Sequence, residues 1–293
     1  METTPRETLN MTCVTMRSQI MLFAIMLVFT LASSGFSNEE PITKEKAEAQ
    51  LEADKTGTNP INFTHDLRFY NEFIWLNTEG NSYQNVTTLE YRQPIASDKW
   101  QFRTRIRGTG VELDLNDDGE NEFKEWGLGE IDFRFLTVPW MDLKSLQAMA
   151  LGIETWLPTA EDGLGSKRLT FGPQIFWAKF NPFGAKGWLF APGYQHRFSV
   201  WEDDDVDTLH QSAIDLYVVG ISPDKQYWLL VDPQIILDWQ ETEQYMILDV
   251  EVGMMLDKYT GSKGHSIYLR PSVGAGGDRP TDGSIEIGYK VVW

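Results

Sequence analysis

The chain has 293 residues, with 25 Lys and Arg against 43 Asp and Glu, a formal net charge of -18, and 11 Trp within 13% aromatic residues. So acidic a surface argues against nucleic acid as a partner. A mean hydropathy of -0.33 excludes a bundle of membrane-spanning helices.

The first element in chain order is an apolar run at 20–32, preceded by Arg17 and followed by the small residues Ser33, Ser34, Gly35 and Ser37. Basic, apolar, then small is the order of a secretory signal peptide, and the run is too short to span a bilayer comfortably. Residues 1–37 are therefore expected to leave by cleavage near Ser37, and Cys13 leaves with them. The mature chain then has no cysteine and no disulfide. Residues 38–61 are polar, with helical composition at 44–54 followed by Thr56-Gly57-Thr58-Asn59-Pro60. They read as a periplasmic linker, with a helical plug as the lesser alternative.

From residue 62 to 293 the chain alternates apolar and polar residues. The segments fall at 63–76, 83–94, 99–110, 126–138, 146–158, 167–180, 187–201, 209–221, 226–239, 244–257, 264–275 and 283–293. Most exceed the roughly 9–11 residues that a tilted strand needs to cross hydrocarbon. An even count puts both ends of the domain on one side. The expected fold is all-β: a transmembrane, antiparallel, up-and-down β-barrel of about twelve strands. The last segment shows the pattern best. Ile285, Ile287, Tyr289, Val291 and Trp293 share one face, and Glu286, Gly288 and Lys290 share the other. Tyr289 and Trp293 are the candidate assembly signal, to be read by the barrel assembly machinery.

Charge and tryptophan sort with this register. Alternate connections carry Asp114, Asp117, Asp118, Glu161, Asp162 and the run Glu202-Asp203-Asp204-Asp205, whereas the intervening turns carry Lys99, Lys144, Lys186, Lys225, Lys258 and Lys263. Acidic loops are expected outside and lysine turns at the periplasm. Trp75, Trp126, Trp156, Trp201 and Trp239 fall near outer strand ends; Trp100, Trp140, Trp177, Trp188, Trp228 and Trp293 fall near inner ends. Two interfacial belts suit the amphipathic indole. A secreted soluble β-sandwich would alternate too, but has no reason to sort charge by alternate turns.

The stretch Gly152-Ile153-Glu154-Thr155-Trp156-Leu157-Pro158-Thr159, then Leu164-Gly165-Ser166 and Leu169-Thr170-Phe171-Gly172-Pro173, is distinctive. So are Tyr194-Gln195-His196-Arg197-Phe198-Ser199-Val200, Asp238-Trp239, and the earlier Gly127-Leu128-Gly129-Glu130-Ile131. Together they resemble the outer-membrane transporter family named for the meta-pathway of phenol degradation, over roughly residues 60–293. Glu130 stands where that family has Asp. The resemblance implies a barrel that passes small hydrophobic or aromatic compounds.

The face opposite the apolar one supplies the candidate lumen: Arg68, Glu90, Arg103, Arg105, Arg107, Asp132, Arg134, Asp215, Asp232, Asp238, Asp249 and Glu251. Arg103, Arg105 and Arg107 form a row, and Asp232 and Asp238 lie on the strand opposite in a ring of twelve. One reading is a transverse field at a constriction. The plainer one is local pairing, because unpaired buried charge is costly. A two-residue turn at Ala96-Ser97 would set Glu90 beside Arg103. Inward positions of later strands are often small, as at Gly152, Gly172, Ala178, Ala191, Gly193, Gly253 and Gly288. They leave a passage, or large neighbours fill the space.

Asp114, Asn116, Asp118 and Glu125, with Gly119 and the Glu120 carbonyl, follow the spacing of a calcium loop. Strands flank the loop, so it is no EF-hand, and a solvated acidic loop is the competing reading. Calcium there is the one candidate cofactor. His196 and Ser212 both face outward on adjacent strands, as a lipid-hydrolysing site would require. A hairpin register pairing Ser212 with Phe198 leaves His196 only diagonal to it, and no Asn is suitably placed.

The expected protein is a monomeric outer-membrane barrel, exported through the periplasm, with membrane lipid and lipopolysaccharide around it. Its expected function is passive passage of small hydrophobic or aromatic molecules, and no enzyme activity is expected. The alternatives are a structural, cation-binding barrel with a salt-bridged closed lumen, and a phospholipase-like enzyme.

Overall fold

The computed structural model describes residues 58, 61–78, 80–95, 100–114, 123–240, 243–261, 263–277 and 279–293. The expected signal peptide and most of the linker lie outside them.

Twelve strands close into one antiparallel barrel in sequence order. They are β1 (Asp66–Leu76), β2 (Tyr83–Ile95), β3 (Trp100–Leu113), β4 (Phe123–Asp142), β5 (Gln147–Leu157), β6 (Arg168–Phe180), β7 (Trp188–Glu202), β8 (His210–Ile221), β9 (Tyr227–Asp238), β10 (Glu243–Met255), β11 (His265–Gly276) and β12 (Thr281–Val292). β1 pairs with β12 from Asp66 against Val292 onward, so no strand edge is left open. In hydrocarbon an open edge would strand N–H and C=O groups at several kcal/mol each. Both ends of the barrel domain lie at one rim, called here the near end. The β3 end at Leu113, the β4 start at Phe123 and the loop at 158–167 lie at the far end.

Alternation builds the two surfaces. Leu67, Phe69, Leu89, Ile106, Phe135, Leu151, Ile153, Ile175, Val252, Leu269, Ile285 and Ile287 are exposed on the outer wall. Asp66, Arg68, Glu90, Arg103, Asp132, Glu154, Glu251, Glu286 and Lys290 are buried inside. A soluble protein would reverse these assignments. An apolar belt around a polar interior is the arrangement stable in lipid.

Two registers differ from the sequence expectation. β2 and β3 pair Ile95 with Trp100, so Glu90 faces Arg105 and Arg92 faces Arg103. The connection uses four residues rather than two. β7 and β8 pair His196 with Ser212 and Phe198 with His210, again a shift of two. A slip of two keeps every side chain on its face, and a slip of one would invert the wall. Hydrophobic pattern alone therefore fixes the face and leaves even slips open.

The tryptophan belts also need correction. Trp75, Trp100, Trp126, Trp140, Trp177, Trp201, Trp239 and Trp293 are exposed. Trp228 is buried inside the barrel, where its Nε1 donates to Glu251 at 2.6 Å. Trp156 shares the inward face of Glu154 and lies 5.3 Å under the Arg197 guanidinium. Trp188 is half-buried and packs across Gly220 of the neighbouring strand. Lysines reach the far end too: Lys124 pairs with Glu112 at 2.5 Å, and Lys167 pairs with Asp162. At the near end the β8–β9 turn is tied to the one-turn helix α1 (Asp257–Thr260) by Lys258 and Asp224, 3.0 Å apart. The Ser222 hydroxyl, at 2.7 Å, together with Lys258 lowers the Asp224 carboxyl to about 2.

Candidate functional site

The inward faces of β1 to β5 carry two ion-pair networks. In the first, Arg68 Nε lies 2.7 Å from Asp66 and 3.3 Å from Glu90, and Arg92 Nε lies 2.5 Å from Glu90. In the second, the β3 arginines converge on Asp132 and Glu154. Arg105 reaches Asp132 at 2.9 Å and Glu154 at 2.6 Å. Arg107 reaches Asp132 at 2.7 Å, and Arg103 pairs with Glu154 and, at 3.4 Å, with Asp132. Arg134 is Cα partner to both Arg103 and Glu154. The β3 row is thus neutralised by carboxylates on the next two strands, β4 and β5. It does not reach across to Asp232 and Asp238, and local pairing replaces the transverse field. Short range decides this. A buried guanidinium gains most from a carboxylate one or two strands away, within hydrogen-bond distance.

A third network sits under the closing strands. Glu251 of β10 accepts from Trp228 Nε1 at 2.6 Å and from Lys290 Nζ at 3.1 Å, and pairs with Arg270. Arg270 also lies 3.5 Å from Glu286. Lys290 has no exposed surface, and its ammonium stands 4.9 Å and 4.5 Å from the Trp228 and Tyr268 rings. Asp66, Arg92, Glu154, Arg270, Glu286 and Lys290 complete these networks. They were absent from the candidate list although they share the inward faces already recognised.

The remaining wall is acidic. Asp232 and Asp249 are direct cross-strand partners, and Asp215 pairs with Gln234 beside them. Gln234 Nε2 donates to Asp232 at 3.2 Å and to Asp249 at 3.4 Å. Asp238 lies at the β9 terminus, where Gln211 Nε2 donates to it at 2.7 Å.

The small inward residues have two fates. Leu136 lies over Gly152, and aromatic rings lie over the other glycines: Trp156 over Gly172, Phe176 over Gly193, Trp228 over Gly253 and Tyr268 over Gly288. Any side chain at these positions would meet the residue above it. Ala148, Ala150, Ala178 and Ala191 instead form a buried apolar patch with Leu189, Val219 and Leu230, and Ile61 is part of the same cluster. Ile61 and Thr58 belong to the segment expected as linker. Both are buried inside the barrel, where the Tyr217 hydroxyl donates to the Thr58 carbonyl.

The other candidates separate. Asp114 follows the end of β3 as a buried side chain whose Oδ2 accepts from the Asn81 N–H at 3.4 Å, and Glu125 lies within β4. Asn116, Asp118 and Glu120 lie outside the described residues. Among the described residues no group of three or more His, Cys, Asp or Glu is arranged to hold a metal ion. Tyr289 and Trp293 are exposed at the near rim. The Trp293 N–H donates to the His65 carbonyl at 3.0 Å, and its ring lies 4.4 Å from the His65 ring.

On the outer wall His196 Nδ1 lies 3.0 Å from Ser212 Oγ, closer than the sequence register allowed. The same oxygen meets Tyr194 Oη at 2.9 Å and Trp239 Nε1 at 2.9 Å, and Ser212 is buried beneath them. An oxygen so enclosed is closed to a substrate carbonyl. The cluster satisfies polar groups within an aromatic belt.

No family model matches the chain, and no curated protein matches its sequence. Solved structures do match. The COG4313 outer membrane channel from Pseudomonas putida F1 is similar at a TM-score of 0.61 and 10% identity, over 79% of this chain and 96% of that one. The NanC porin is similar at a TM-score of 0.50 and 11% identity, over 78% of this chain and 98% of that one. At such identities the likeness is one of fold. The chain has the closed, twelve-stranded antiparallel barrel of outer-membrane channels.

Proposed function

We propose that this protein is an outer-membrane channel for passive passage of small molecules, in particular small hydrophobic or aromatic ones. The observation that carries the reading is a closed barrel whose outer wall is an apolar belt and whose inner wall is lined with charge. The match to channel structures supports the class. The motif resemblance at 152–173 and 194–200 supports the substrate. An apolar patch inside the lumen, the one that holds Ile61, fits such a substrate.

A second reading is a structural barrel with a closed lumen. The buried networks around Asp132, Glu154 and Glu251 favour it. Two measurements decide between them. Liposome swelling in small sugars and amino acids reads passage itself, and the channel reading expects swelling well above empty vesicles. Uptake of a small aromatic by intact cells, with and without the gene, reads the finer class, and deletion is expected to lower it at least twofold. Neither swelling nor a change in uptake would leave the structural reading.

A further inference from the structure

The chain crosses its own lumen before β1 begins. β1 and β7 are diametrically opposed in the closed ring. Ile61 belongs to the apolar cluster on the β5–β9 wall, five residue steps before Asp66 opens β1. Five steps reach about 17 Å when extended. Twelve strands about 4.8 Å apart and tilted about 40° make a backbone ring roughly 24 Å across. With side chains filling the rest, residues 61–65 span most of that width. The segment is a strap across the near end, anchored by Ile61 on the alanine wall and by the Tyr217 hydroxyl on the Thr58 carbonyl.

The strap's seat has the chemistry of a ligand site. Its floor is Ala148, Ala150, Ala178 and Ala191, with Leu189, Val219 and Leu230 at the sides, and none of these side chains can hydrogen-bond. One directional group stands over it, the Tyr217 hydroxyl, used as a donor. Small side chains on four inward positions leave room for a guest about the size of a branched alkyl group or a single ring. Ile61 supplies the hydrocarbon and Thr58 the carbonyl. Elsewhere the lumen offers charge, paired carboxylates and a second cluster, Tyr70, Trp228, Met255 and Tyr268, whose rings carry a hydroxyl or an indole N–H.

We propose that the alanine wall and Tyr217 form a binding subsite for small apolar molecules carrying one acceptor oxygen, and that Ile61 occupies it until such a molecule displaces the strap. The subsite's role in passage rests on the channel reading, but its occupancy is measured without any flux. Acetophenone is the probe, with one ring and one carbonyl, and toluene is the control without an acceptor.

The experiment places a cysteine on the strap, Thr58→Cys in a Cys13→Ser background, and follows maleimide labelling of the folded barrel in detergent. Thr58 bonds through its carbonyl, so the substitution keeps that contact. Labelling should be slow without probe and at least tenfold faster with saturating acetophenone, and toluene should do less. Ile61→Gly should label fast with no probe. Tyr217→Phe should label faster at rest and lose most of the difference between acetophenone and toluene. Fast labelling unaffected by Ile61→Gly would show that the strap is not seated. Slow labelling unmoved by acetophenone at its solubility limit would show that no ligand takes the seat. Either result overturns the proposal. Labelling that responds as expected in a barrel that passes no solute would sink the channel reading and leave the subsite standing.

Discussion

Glu251 is where the interior charge of the closing strands converges. It holds Lys290 at 3.1 Å, accepts from Trp228 at 2.6 Å and pairs with Arg270. Replacing it with Gln leaves Lys290 buried with no charged partner, only ring faces and a neutral amide oxygen. Removing one member of a buried pair costs about 3–5 kcal/mol, because the other charge stays desolvated. Glu251→Gln is expected to lose about that much in urea unfolding of the refolded barrel, read by gel mobility. Lys290→Met should lose less, below about 3 kcal/mol, since Arg270 and Trp228 remain on the carboxylate. Equal losses would mean that Lys290 rather than Glu251 organises the group. The acidic wall behaves in the opposite way. Asp232 and Asp249 are directly opposed across two strands, an arrangement of like charges that destabilises a sheet. Asp232→Asn with Asp249→Asn should therefore lower the cation preference in reversal-potential measurements without loss of stability. Arg105→Gln should raise the preference and destabilise, because it strips partners from Asp132 and Glu154. A reversal potential unmoved by the aspartate changes would place the selective constriction elsewhere.

At the scale of elements, β12 closes the sheet against β1, and its last contact is the Trp293 N–H on the His65 carbonyl. Tyr289 and Trp293 present their rings outward at the near rim, where the assembly machinery would meet them. Deleting Trp293 is expected to leave the protein unassembled or degraded. A truncated chain that still runs as a folded barrel on unheated gels from outer membranes would contradict this. Orientation follows from the loops. A protease site inserted after Asp205, at the far end, should be cut on intact cells, and one after Asp224 should be protected. The reverse pattern would invert the barrel. The strands themselves were legible in the sequence because period two is a strong signal when twelve segments repeat it. Their registers were not, since a slip of two residues costs the pattern nothing and only the connection decides it. Glu90 against Arg105, and His196 against Ser212, are the two places where this shows.

For the whole molecule, closure, the apolar belt and the charged lumen could be read from alternation alone. The three networks could be read only as faces. The pairing of Arg103, Arg105 and Arg107 with Asp132 and Glu154 depends on which strand adjoins which, and on side-chain reach. Trp156 and Trp228 stand at heights near strand ends that suit an interfacial belt, yet they share the inward face of Glu154 and Leu230, and the face decides. Ile61 was not legible at all, because a lone apolar residue between Pro60 and Asn62 has no period. It gains meaning only against an apolar wall five strands broad. On the channel reading, the barrel is narrowed at its near end by ion pairs and by its own strap. Planar-bilayer recording of the chain from residue 38 beside one that starts at residue 62 tests this most directly. Brief, small openings for the first and larger, steady steps for the second are the result expected. Silence from both, with each barrel verified as folded, would contradict a channel and leave a closed structural barrel.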